Sequence, residues 1–233
     1  MTPKTFVSAL AAAKLPSVFN PWRDRCSIHD RRDAAARRRS NLQGMLEAAL
    51  DAHVETIWIA RDLGYRGGRR TGVPLTDEVH LTHASALMGG IELERATQGP
   101  EIAERTAAIV WQVLGRIGQP VMLWNVFPFH PHDADDPMSN RCHSRAEREE
   151  TWPLLQALVS MVQPKRIVAI GRDAHLALAG LETEVTAIRH PSYGGQREFI
   201  NGMYGLYGIA GDPVGSPELP LGPRYAATAK ALA

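Results

Sequence analysis

Cysteine is almost missing from this chain. Cys26 and Cys142 are its only two, too few for a four-thiolate metal cluster and no basis for a secreted disulfide framework. Lysine is scarce too, confined to Lys4, Lys14, Lys165 and Lys230, and the formal net charge is only +1. The chain as a whole therefore carries no broad basic field. No uncharged apolar run approaches the roughly 20 residues of a membrane-spanning helix. The apolar stretch 6–13 is stopped by Lys14 and reads as a helix, not a signal core. A Gly-x-Gly-x-x-Gly turn and a Walker-type loop are both lacking, which argues against a small-molecule enzyme of nucleotide-binding α/β type. Internal repeats and low-complexity tracts are also missing. The expectation is a cytoplasmic monomer that needs no cofactor, no metal and no membrane.

Hydrophobic residues make up 44% of the chain and charged residues 22%, the composition of an ordinary folded domain. Residues 1–233 are read as one domain, with N-terminal helices up to 54 and a tail from 209 to 233 where Pro and Gly recur without period. Leu42, Met45, Leu46 and Leu50 recur at helical spacing within 31–52. Further helices are expected over 100–117, 144–162, 173–181 and 194–207. Between them lie four short apolar runs: 55–60, 121–124, 166–170 and 185–188. Strands separated by helices pair in parallel through crossovers, so the expected fold is a three-layer α/β/α sandwich around a four-stranded parallel sheet. In such sheets the site lies at the carboxyl ends of the strands.

Each run ends in residues suited to that place. After the first comes Arg61-Asp62-Leu63-Gly64, after the second Asn125, after the third Gly171-Arg172 and after the fourth His190-Pro191-Ser192. Segment 64–99 and loop 127–143 are expected to wall the crevice. In 189–196 a strand, a tight loop and a helix N-terminus meet. Free N–H groups, the Ser192 hydroxyl and the close backbone approach permitted by Gly194 and Gly195 make an anion cradle there. His190 adds a group that donates a hydrogen bond or carries a proton near neutral pH. Asp62 serves either as a working carboxylate or as a cap on its own loop. Asn125 either reads a ligand through its amide or ends its strand in a turn.

Arginine carries the positive charge, in one cluster from Arg23 to Arg39 and another of Arg61, Arg66, Arg69 and Arg70. Its planar fork suits phosphate contacts, and a solvated helix face is the competing reading. His130-Pro131-His132 with nearby carboxylates is not read as a metal site, because no second ligand cluster has matching spacing.

Taken in order, these strand-end motifs resemble the uracil-DNA glycosylase superfamily over about residues 55–208. His190-Pro191-Ser192 matches its last loop, and Asn125 matches the Asn that often ends its second strand. Ser139-Asn140-Arg141 and 164–171 are similar to the iron–sulfur branch, whose cysteines this chain lacks. The resemblance implies removal of uracil from DNA by base flipping, which leaves an abasic site; other deaminated bases fall within the same expectation. Asp62 then positions a water, His190 donates to uracil O2, and Asn125 reads O4 and N3–H. In the first motif the usual proline is missing. Gly64 stands where relatives use Tyr against the thymine methyl, and Leu75 where they stack a Phe on the base, a task Tyr65 or Phe127 could take over. Ser192, Gly194 and Gly195 would pinch phosphates, and Tyr193, Gln196 or Arg197 would fill the vacated stack. Arg66, Arg69 and Arg70 would add phosphate contacts. The altered first motif also suits a protein of this fold that binds damaged or abasic DNA with little turnover.

Overall fold

The computed structural model describes residues 1–210, so most of the expected tail lies outside the described residues. Along the chain the elements are α1 (Pro3–Ala12), β1 (Val18–Phe19), α2 (Ala34–Asp51), β2 (Thr56–Asp62), α3 (Gly68–Thr71), α4 (Leu81–Leu87), α5 (Arg105–Ile117), β3 (Met122–Phe127), β4 (His130–Pro131), α6 (Arg145–Val162), β5 (Arg166–Ile170), α7 (Arg172–Ala177), β6 (Val185–Ile188) and α8 (Gln196–Leu206).

Strands β3, β2, β5 and β6 hydrogen-bond in that order, every pair parallel. Ile57 stands opposite both Met122 and Ile167, and Ile167 stands opposite Val185. Residues 57–60 and 167–170 are buried without alternation, the pattern of strands covered on both faces. Helices flank the sheet: α6 lies against β3, α7 against β5 and β6, and α8 against β6 and α5. Large rings fill the interior, with Trp22 stacked on Trp124 at 6.1 Å and Phe6 tilted against Trp124 at 5.6 Å. Trp58 donates through Nε1 to the Tyr207 hydroxyl at 2.9 Å, which satisfies a polar atom that burial would otherwise strand.

The chain passes from β2 outward to β3, then returns across β2 to β5. That reversal puts the topological switch point between the carboxyl ends of β2 and β5, where a crevice opens in sheets of this kind.

Several boundaries differ from the sequence reading. β2 and β3 run on through Asp62 and Phe127, so Asn125 is an interior strand residue and not a strand end. Helix 100–117 begins at Arg105, and helix 173–181 is cut to Arg172–Ala177. Segment 64–99 contains α3 and α4, and loop 127–143 contains β4, which pairs antiparallel with β1. Helix α6 starts where a capping box predicts, Ser144 and Glu147 each bonding the other's backbone N–H.

Candidate active site at the carboxyl ends of the strands

The four strand ends are tied together by direct contacts. Asn125, fully buried on β3, donates from Nδ2 to the main-chain carbonyl of Asp62 at 2.9 Å. A carbonyl only accepts, so this bond fixes which end of the amide is nitrogen. Asn125 Oδ1 is then left buried and without a hydrogen-bond partner.

The Asp62 carboxylate is held from two sides. Arg61 Nε donates to its Oδ2 at 2.7 Å, while its Oδ1 accepts from His143 Nδ1. Arg61 also reaches across the switch point, donating from Nη1 to Asp173 Oδ2 at 2.5 Å at the start of α7. His143 lies in the loop before α6, its ring stacked on Phe127 at 5.4 Å and 28°.

His190 follows β6. A Cβ on Gly171, which has φ +94, would lie 3.1 Å from the Cβ of His190, so glycine at the end of β5 lets the two loops close on each other. His190 Nδ1 accepts from the Ser192 N–H at 3.1 Å, which places the ring proton on Nε2. Burial first, then the charges of Arg61 and Arg189, hold His190 below the ordinary histidine pKa, with Asp173 acting the other way. A neutral imidazole with a free Nε2–H therefore faces the charges at the end of β2.

Beyond His190 the loop is open to solvent. Tyr193 is 99% exposed with φ +51, an aromatic side chain held clear of the surface in a left-handed conformation. Gly194, Gln196 and Arg197 are exposed beside it, Ser192 is half-buried and Gly195 is buried. A Cβ at Gly195 would sit 2.2 Å from the His190 carbonyl oxygen, so this glycine serves the loop's own closure. Arg66 is exposed and lies over the Tyr65 ring at 5.5 Å. Tyr65 itself is pinned by its N–H to Asn140 Oδ1 at 3.0 Å, which gives the Ser139-Asn140-Arg141 stretch a bracing role.

Arg69 and Arg70 do not join that surface, and their sequence assignment to DNA contacts is corrected. Arg69 is 4% exposed, donates to the Pro137 carbonyl at 2.7 Å and lies over the Phe19 ring at 4.2 Å. Arg70 is 7% exposed and paired with Glu78 at 3.0 Å. Phe127 is fully buried with a ring face covered by His143, and Leu75 is buried at φ +54 in a closed turn; neither presents an open stacking face. The cavity beside Tyr65, lined among others by Cys26, Arg38 and Arg69, measures about 10 Å³. That admits one water, not a pyrimidine. The gap at Gly64 is filled as well: a Cβ there would meet Glu104 Oε1 at 2.9 Å, and one at Gly67 would meet Glu104 Oε2 at 2.1 Å.

Sequence reasoning passed over Arg61 as a bridge, His143, Glu104 and Asp173. Only His143 had a local signal, standing immediately before the capping box that opens α6. Among the described residues no helix is long and apolar enough to cross a membrane.

The family model of the uracil DNA glycosylase superfamily matches residues 53–201, more than half of the chain. Among solved structures, wild-type SMUG2 from Pedobacter heparinus is similar, with a TM-score of 0.58 at 11% sequence identity, covering 89% of this chain and 97% of that one. No curated protein matches the chain in sequence.

Proposed function

Since the chain belongs to the uracil DNA glycosylase superfamily, we propose that it hydrolyses the N-glycosidic bond of uracil in DNA and leaves an abasic site. The observation that carries this reading is the buried, unpartnered Oδ1 of Asn125 beside an Nδ2 whose orientation is fixed. A buried acceptor left unpaired costs about 1–3 kcal/mol, and the N3–H of uracil is the donor that removes the cost. The second N–H of the same amide is then available for uracil O4. Cytosine presents an acceptor at N3 and a donor at C4, the opposite pattern, and would leave Oδ1 unpaired.

Breaking the bond leaves negative charge on the base and positive charge on the sugar, so electrostatic stabilisation dominates. His190 supplies the hydrogen bond to uracil O2 as a neutral donor, which needs no proton transfer. Asp62 would supply the carboxylate that favours the cationic sugar and, itself or through the His143 it holds, orients a water toward C1′. Reaching the base means taking it out of the stack at a cost of a few kcal/mol. Tyr193, fully exposed on its loop, would enter the vacated space, with Ser192, Gly194, Gln196, Arg197 and Arg66 holding the backbone around it.

The test is a labelled oligonucleotide with one uracil, incubated with the protein and then treated with alkali. Strand cleavage at the uracil is the expected result, lost in Asp62→Ala and His190→Ala while both stay folded. A gel shift without cleavage would instead mark a damaged-DNA-binding protein, and hydrolysis of free deoxyuridine at the same rate would mark a nucleoside enzyme.

A further inference from the structure

Among the described residues, His143 is the one that touches the Asp62 carboxylate without belonging to any motif of the sequence. Both oxygens of that carboxylate already accept hydrogen bonds, Oδ2 from Arg61 and Oδ1 from His143, so Asp62 is immobilised. What it immobilises is an imidazole. With its proton on Nδ1 and turned to Asp62, His143 presents the lone pair of Nε2, which has no hydrogen-bond partner among the described residues. The ring is stacked on Phe127 and its side chain is 7% exposed, so it is ordered before any substrate arrives. Asp62 is also the residue whose carbonyl holds Asn125. The amide placed to read the base and the imidazole thus hang from one residue, the first from its main chain and the second from its side chain.

We infer that His143, through Nε2, is the general base that takes a proton from the attacking water, with Asp62 fixing its tautomer and stabilising the imidazolium. This rests on the glycosylase reading above. The C1′–N1 bond breaks with its electron pair going to N1 of uracil, and the water oxygen bonds to C1′. The water's proton passes to His143 Nε2. Uracil leaves as the N1 anion held by His190, and His143 later returns the proton to solvent. A carboxylate-oriented imidazole acts in this way wherever Nδ1–H is bound to the acid and Nε2 is left free. The charged and titratable groups around His143 are Asp62 and Arg61 from β2, Asp173 bridged to Arg61, and Arg141 and Cys142 from its own loop, Arg141 being paired with Glu147 at 2.6 Å.

The test is His143→Asn, whose amide nitrogen takes the place of Nδ1 and keeps the bond to Asp62 but which has nothing at Nε2. Single-turnover uracil excision is measured for both proteins from about pH 5 to 9, with thermal unfolding as the control for folding. The expected result is a rate lower by about 10²–10⁴-fold, and an acid limb in the wild-type profile that is absent from the variant's. His143→Gln, whose amide reaches the place of Nε2 but takes up no proton near neutral pH, repeats the measurement should the asparagine variant unfold. Excision by the folded variants within a few-fold of wild type, or a wild-type profile without an acid limb, overturns the assignment. A wild-type protein that leaves uracil untouched removes the glycosylase reading beneath it.

Discussion

Asn125 Nδ2 lies 2.9 Å from the carbonyl oxygen of Asp62, joining the edge strand β3 to the last residue of β2. The bond fixes the amide and the backbone that carries the carboxylate together. Asn125→Asp replaces the donor with an oxygen that faces another oxygen in a fully buried place. The variant is expected to lose about 1–3 kcal/mol of stability and nearly all uracil excision. For a domain of this size that is a fall of several degrees in melting temperature, read by calorimetry beside the alkali-cleavage assay. A variant as stable and as active as the wild type would remove Asn125 from both tasks.

Gly194 and Gly195 are adjacent, yet they answer to different constraints. Gly194 has φ +78 and nothing near its missing Cβ, whereas Gly195 has no room, its Cβ falling 2.2 Å from the His190 carbonyl oxygen and 3.0 Å from Arg189 Cγ. Gly194→Ala is expected to cost about 1 kcal/mol through backbone strain alone. Gly195→Ala must displace the backbone of His190, and a shift of about 1 Å at a donor costs on the order of 10²-fold in rate. Excision rates for the two variants, with circular dichroism on each, separate the effects; equal rates would show that the loop does not hold His190 in place.

Arg38 belongs to the arginine cluster that composition offers to a phosphate, and the fold uses it inside. It is 1% exposed, paired with Asp30 and donating to the carbonyls of Arg70, Pro21 and Asp24. Arg38→Ala strands a buried carboxylate and three carbonyls, at an expected cost of about 3–5 kcal/mol. Urea titration should show the lower midpoint, with the excision rate of the remaining folded protein unchanged.

Strands β2, β3 and β5 were legible because strands covered on both faces are short uninterrupted apolar runs, and the less covered β6 because three of its four residues are β-branched. The ends of β2 and β3 were read too early, at Ala60 and Trp124, whereas those of β5 and β6 were read where they stand, at Ile170 and Ile188. Asn125 and Asp62 break the apolar pattern, but each stays in its strand because its side chain is anchored there: the Asn125 amide nitrogen to a carbonyl, the Asp62 carboxylate to Arg61 and His143. The pairing of β1 with β4 is two residues long on each side, too short to give a period. His143, which holds Asp62 Oδ1, and the Glu104 carboxyl beside Gly64 come from 81 and 40 residues further along the chain, and no spacing rule connects them. Sequence gave the side chains suited to the chemistry; which of them touch is a property of the fold.

Glu104 gives the chain a pH dependence whose sign can be worked out. Its carboxyl is pressed against Gly64 and Gly67, and burial, followed by the charge of Asp77, pushes its pKa up to about 7, with Arg66 opposing. In the unfolded chain the same group titrates near 4.5. Between these two values the folded protein keeps a proton that the unfolded chain has released, so folding becomes less favourable as pH rises through the window and levels off above it. Glu104→Gln holds the neutral shape at every pH. Urea unfolding of both proteins should give similar stabilities near about pH 4 and a variant more stable by up to about 3 kcal/mol near about pH 8. Parallel curves across that range would mean that the carboxyl beside Gly64 ionises freely in the folded protein, and that the space there is open to water.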